Sequence, residues 1–379
     1  MRRAGEAQRQ RLHESFESIC RIESPSGSER HCADWVTGQL RQLGLDVEED
    51  GAAEAAGSNC GNLLARLGKD HTRSILLCAH LDTVPPTAPI EPVRSDGGWM
   101  NANAGILGAD NKAAVAVLLE LARCLQEGTR APGVGVELVF TVCEENGLRG
   151  ARAFDKDRLE SEYGYVFDHA SPIGEIVLAS PTYTKVVAAL TGREAHAGLR
   201  PEDGRSAIDA AARAICSMKL GRVDEDTTAN VGTISGGTAT NVVAGRCVVE
   251  SEARSLREQR LEEVVTEMLD HFQEAADAAE CDLDLTVERM FKGYRTKPSS
   301  VAVTVAERSL RSCGYQPRGI ATGGGSDANA LQANGFECVN LANGTERNHQ
   351  PDERVSVDAL EGMLEVALAL VTEAGSGAA

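Results

Sequence analysis

His80 and Asp82, two residues apart, stand at the polar end of an apolar run of strand length that begins at Ser74. In extended backbone, residues two apart point to the same side, so both can face one site while Leu81 turns into the core. Such a pair is either a metal ligand with a carboxylate that fixes its imidazole tautomer, or a hydrogen-bonded pair capping a turn. Further along, Asp110, Glu144, Glu145, Asp168 and His349 fall where strand ends or loops are expected. Taken singly, Asp110 before a helix reads as an N-cap and Glu144-Glu145 as a solvated turn. Taken together they point elsewhere, because carboxylates gathered at one sheet edge repel one another unless a cation neutralises them.

The elements that must carry these residues follow a rhythm. Helical spacing runs from Glu6 to Cys20 and again from Ser28 to about Gly44, and short strands are expected at Leu45 to Glu48 and Asn62 to Leu67. The Ser74 to His80 strand is followed by a loop with Pro85, Pro86, Pro89 and Pro92, which excludes helix. Ala113 to Gln126 has almost no polar face and predicts a buried helix, and Val134 to Val142 and Gly164 to Asp168 predict strands that end on acids. Strand, helix and strand with acids at the strand ends describe an α/β domain whose site lies at the carboxyl edge of its sheet.

After Glu175 the pattern changes. An extended stretch to Leu190, a helix over Ser206 to Met218, strands at Ala229 to Ile234 and Val242 to Ser251 and a charged helix over Leu256 to Ala279 predict an inserted ferredoxin-like α+β module. From about Tyr294 the chain returns to the first domain, with helix Ser299 to Cys313, a glycine loop at 323–325, strand Val339 to Leu341 and a last helix from Val357 to Glu373. The expected division is therefore 1–178 with 292–379 around an insertion at 179–291, and only the Gly-Ser-Gly-Ala-Ala tail reads as disordered.

At 379 residues two domains are expected. Hydrophobic residues make up 42% and charged residues 25%, and no apolar run approaches the roughly 20 residues that span a membrane. The N-terminus has no apolar stretch behind Arg2 and Arg3, so a cytoplasmic protein is expected. A formal charge of −19 argues against nucleic acid. The eleven cysteines are scattered with no Cys-x-x-Cys pair, and read as small buried hydrophobes.

The ordered segments Ala79 to Val84, Gly108 to Lys112, Glu144 to Gly147, Phe167-Asp168, Gly192 to Gly198, Gly323 to Asp327 and Asn348-His349 resemble the M20 metallopeptidases, and within them the peptidase T-like aminopeptidases. The resemblance implies a catalytic domain with a central mixed sheet flanked by helices, and an inserted lid through which a homodimer forms. It implies two divalent ions, most often zinc, with cobalt or manganese as alternatives. His80 and Asp168 would hold one ion, Glu145 and His349 the other, and Asp110, followed by a cis peptide, would bridge them. Imidazole and carboxylate without thiolate suit such metals. Asp82 would orient His80 through its carboxylate, and Glu144 would be the general base for a water between the metals. Adjacent acids on a strand point opposite ways, so Glu144 is expected to need an irregular turn before Asn146-Gly147.

In the inserted module, the resemblance makes His196 the stabiliser of the oxyanion, often acting from the partner subunit, or else it is an ordinary surface histidine. Asn241 and Arg254 would bind the substrate's carboxyl end, and Gly324, Gly325 and Ser326 would pass close to substrate. Aspartate at position 168, where deacylases and carboxypeptidases of the family carry glutamate, favours release of the N-terminal residue of short peptides. The alternatives are an N-acyl amino acid amidohydrolase, a carboxypeptidase, or a metal-free binding protein.

Overall fold

Four of the apolar runs become the parallel centre of a nine-stranded sheet, in the order Gly135–Thr141, Ser74–His80, Tyr163–His169, Cys338–Ala342. Leu63–Leu67 flanks them antiparallel on one side and Glu175–Ser180 on the other, so the sheet is mixed. Parallel strands buried on both faces need apolar residues at nearly every position, and Gly135–Thr141 is buried throughout. The computed structural model describes residues 4–68, 73–128 and 134–376; His71, which matches no motif, and the last three residues of the tail lie outside that range.

The helix Ala109–Gln126 is buried nearly all round, as its missing polar face predicts, and packs against this sheet and against the helices Glu6–Cys20 and Val357–Gly375. Its first residues depart from helical geometry at Asp110 and Asn111, and the peptide between them is cis. None of the eleven cysteines forms a disulfide, and nine of them are buried.

The proline-rich stretch holds more than a loop. Pro92–Ser95 and Gly98–Asn101 form a hairpin that joins Arg354–Ser356 and Thr345–Glu346 in a separate four-stranded sheet. The expected single extended stretch from Glu175 to Leu190 is two strands, Glu175–Ser180 and Thr182–Thr191, divided at Pro181, which has no N–H for a ladder. A short helix, Asp327–Ala333, follows the glycine loop.

The chain divides into two compact units. One holds the chain up to Ala179, Arg295–Thr322 and the chain from Ser326 onward; the other holds Ser180–Tyr294 with Gly323–Gly325. The second unit has its own core and an antiparallel sheet in the order Gly221–Asp224, Thr227–Gly236, Arg246–Ser255, Thr182–Thr191, Asp282–Phe291. With helices Ala207–Ser217 and Glu258–Ala278 between its strands, it has a ferredoxin-like order.

Candidate metal centre

The site lies at the carboxyl ends of the parallel strands, and each turn that carries a candidate ligand is tied by a polar side chain from elsewhere. His80 ends its strand with the ring 1% exposed. Its Nδ1 is 2.9 Å from the main-chain oxygen of Asp82 and 3.4 Å from Asp82 Oδ1. A carbonyl only accepts, so in the neutral ring Nδ1 carries the proton and Nε2 turns its lone pair toward the acids. Asp82 thus faces His80 Nδ1 with its main-chain oxygen, and its carboxylate lies within 3.4 Å of the same nitrogen.

The Asp82 carboxylate also holds the next turn. Oδ1 accepts from Glu144 N–H at 2.9 Å, and Oδ2 accepts from Glu145 N–H at 3.1 Å and from the Ser26 hydroxyl at 2.6 Å. Glu29, fully buried, accepts from Cys143 N–H at 3.0 Å. Two carboxylates therefore gather three consecutive N–H groups, and Cys143 takes φ +51°. That kink brings both Glu144 and Glu145 to the site; the irregularity precedes the acids and does not depend on Asn146-Gly147 alone.

Asp168 is held by Asn340, whose Oδ1 accepts from Asp168 N–H at 3.0 Å and whose Nδ2 donates to Asp168 O at 3.2 Å. Asp110 receives Asn348 Nδ2 at 2.7 Å on Oδ2. His349, at φ +65°, places Nε2 2.8 Å from Glu145 Oε1 and 3.5 Å from Asp110 Oδ2. On the other side His80 Nε2 is 3.4 Å from Asp110 Oδ1 and 3.6 Å from Asp168 Oδ1.

Ligand atoms of His80, Asp110 and Asp168 lie within 4.8 Å of one another, as do those of Asp110, Glu145 and His349, and those of His80, Glu144 and Glu145. Asp110 is shared by the first two groups. Among the described residues, His80 Nε2 and Asp110 Oδ1 are buried without a hydrogen-bond partner. Orphaned donor atoms in an all-nitrogen and oxygen set are what a borderline or hard divalent cation fits.

The electrostatics agree. Burial and the neighbouring Asp168 charge push Glu144 well above the usual carboxylate range, and burial pushes Asp168 up to about 8. Burial also raises Glu145, against the opposing hydrogen bond from His349. Burial opposes a charged His80, yet Asp110 and Asp168 hold its pKa well above the ordinary value. Hydrogen bonds with Asp110 and Glu145 raise His349 to about 10. Four acids against two rings are short of positive charge, which a cation supplies.

Two residues here carry no local signal. Glu29 and Glu353 sit among polar neighbours and read as solvated acids, while Asn340 interrupts an apolar strand and is the one that could be suspected from its pattern. Asp327, inside the glycine motif, is fully buried, accepts the Thr141 hydroxyl and is pushed by burial up to about 6.

His196 and Asn241 lie in the second unit, both exposed, on segments joined by Ala197 N–H to Asn241 O at 2.9 Å. His196 Nδ1 accepts from Gly198 N–H at 3.1 Å and Leu199 N–H at 3.2 Å, so the neutral ring presents Nε2–H as a donor. Arg254 stacks on Tyr183, its carbon Cζ 4.4 Å from the ring centre, and pairs with Glu252 through Nε at 3.1 Å and Nη2 at 2.9 Å. One edge of its fork is therefore already taken. Gly324 O accepts from Ser180 Oγ at 2.8 Å, and a Cβ on Gly325 would stand 2.2 Å from Phe291 Cζ, so that glycine is required by packing. Ser326 belongs to the first unit, is 1% exposed and donates its N–H to Asn329 Oδ1 at 3.1 Å. It starts the Asp327–Ala333 helix.

The model for "Peptidase family M20/M25/M40" matches residues 76–373. The uncharacterized protein YqjE of Bacillus subtilis is 37% identical over 365 residues, 96% of this chain and 98% of that one. The crystal structure of aminopeptidase PepT from Bacillus cereus superposes with a TM-score of 0.83 at 38% identity, covering 96% of this chain and 98% of that one. A tripeptidase structure from Staphylococcus aureus gives a TM-score of 0.90 at 34% identity, covering 97% and 99%.

Proposed function

This chain belongs to peptidase family M20/M25/M40, and from that premise we propose that it is a metal-dependent aminopeptidase releasing the N-terminal residue of short peptides, tripeptides first among them. The observation that carries the reading is the pair of ligand groups sharing Asp110, with His80 Nε2 and Asp110 Oδ1 left as buried orphans. The aminopeptidase and tripeptidase described among the similar structures support the substrate class, as does aspartate at position 168.

His80 and Asp168 would hold one divalent ion, Glu145 and His349 the second, and Asp110 would serve both; zinc suits the donor set, with cobalt or manganese as substitutes. Ions bound there supply Lewis acidity, lowering the pKa of water and polarising a carbonyl. Glu144 takes the proton of the attacking water and returns it to the leaving amine. Its environment supports that task, because burial and the Asp168 charge raise the proton affinity of the Glu144 carboxylate. His196, with Nε2–H free to donate, stabilises the oxyanion from a partner subunit in a homodimer formed through the second unit. Asn241 and Arg254 take the substrate's carboxyl end; Arg254 does so with the fork edge that Glu252 leaves open.

Removal of metal tests the reading. Dialysis against a chelator is expected to abolish cleavage of a tripeptide such as trialanine, and added zinc, cobalt or manganese to restore it. Cleavage that survives chelation, or protein that binds no metal and gains no activity on its addition, contradicts it.

A further inference from the structure

Glu353 belongs to none of the ligand groups, yet it is 1% exposed and spends both carboxylate oxygens on the loop that delivers Asp110. Oε2 accepts from the N–H groups of Leu107 and Gly108, each at 2.9 Å, and Oε1 accepts from Asp110 N–H at 2.8 Å. Gly108 takes φ +75°, a conformation that costs glycine little and lets the successive N–H groups converge on one acceptor. Burying a carboxylate is costly, and three main-chain donors offset that cost while fixing the loop to a single geometry.

The segment that carries Glu353 touches Asp110 a second time. Asn348 donates to the Asp110 carboxylate, and its neighbour His349 meets Glu145. Asp110 is thus held at its backbone by Glu353 and at its side chain by Asn348, five residues earlier in the chain. Because Asp110 is common to the His80–Asp168 group and the Glu145–His349 group, whatever aims its carboxylate acts on both.

We propose that Glu353 is a positioning residue that holds the Asp110 loop so that its carboxylate serves both ion pockets, and thereby sets the affinity of the two together. This rests on the metal-centre reading above. A side chain that only filled space would alter folding stability and leave ion affinity alone; one that aims a shared ligand weakens both binding steps when it is lost.

The test is a Co2+ titration of the chelator-stripped full chain, followed by calorimetry and by the visible absorption of bound cobalt. Wild-type protein is expected to bind two ions per chain. Glu353→Gln keeps the size but replaces an accepting oxygen with an NH2 group that cannot accept from main-chain N–H. Both of its binding steps are expected to weaken by about 10–100-fold. Glu353→Asp keeps the charge with a shorter reach; a smaller weakening of both steps is expected, and this variant carries the test if the glutamine variant does not fold. Two ions bound with wild-type affinity, or weakening confined to one ion, overturns the proposal while the metal centre stands. Wild-type protein that binds no cobalt overturns the metal centre and the proposal with it.

Discussion

At the scale of single residues, the site is a set of candidate ligands whose backbones are gripped by carboxylates and amides outside the ligand groups. Asp82 shows the division of labour: its carbonyl fixes His80 while its carboxylate holds the N–H groups of Glu144 and Glu145. Asp82→Asn replaces one acceptor oxygen by a donor facing N–H, and is expected to cost about 1.5–3 kcal/mol, read as a lower urea midpoint. An unchanged midpoint would show that the turn holds itself. Glu144→Gln keeps the shape of the proposed general base without its proton affinity. Turnover is expected to fall about 10²–10⁴-fold with the bound metal per chain unchanged. Near-native kcat would remove Glu144 from that role.

At the scale of elements, the strand Ser74–His80 was legible to the residue, because an apolar run bounded by polar residues can only be a buried strand here. The hairpin Pro92–Ser95 and Gly98–Asn101 was hidden by its prolines, although Asp96-Gly97 between the two strands is a strong two-residue turn signal, and both take positive φ. Positive φ at Cys143 had no signal in the residue type, since distant Glu29 and Asp82 impose it. Candidate ligands could therefore be named from residue types in order, and the means of holding their turns could not, because it depends on contacts between residues far apart in the chain. One such contact joins the first helix to the hairpin. Trp99 Nε1 donates to His13 Nδ1 at 3.0 Å, and His13 Nε2 faces Glu361 at 3.1 Å, so the ring is neutral with its proton on Nε2. Burial lowers its pKa, outweighing Glu361. The unfolded chain therefore takes the proton first. The stability this ring contributes is full above its unfolded value of about 6.5 and is lost as pH falls through the lowered folded value. Melting temperatures of wild type and His13→Gln are expected to converge as pH drops from neutral toward 5; parallel curves would show that His13 does not titrate with unfolding.

At the scale of the whole molecule, the segment Ser24 to Glu29 precedes the residues matched by the family model, yet it supports the site, through Ser24 to Leu81 O, Ser26 to Asp82 and Glu29 to Cys143. Among the described residues no helix is long and apolar enough to cross a membrane. If His196 acts from a partner subunit, His196→Ala and Glu144→Gln chains that are each inactive should regain activity when mixed and allowed to exchange. No recovery from mixed dimers would place His196 with its own chain's site or outside catalysis. The central claim is the direction of cleavage by a metal-dependent centre. Its most direct test is mass spectrometry of a tripeptide with three different residues, offered with a free amine and as its N-acetyl twin to zinc- or cobalt-loaded protein. The free peptide is expected to lose its N-terminal residue and the acetylated one to stay whole. Loss of the C-terminal residue, or cleavage of the acetylated peptide alone, would contradict the account.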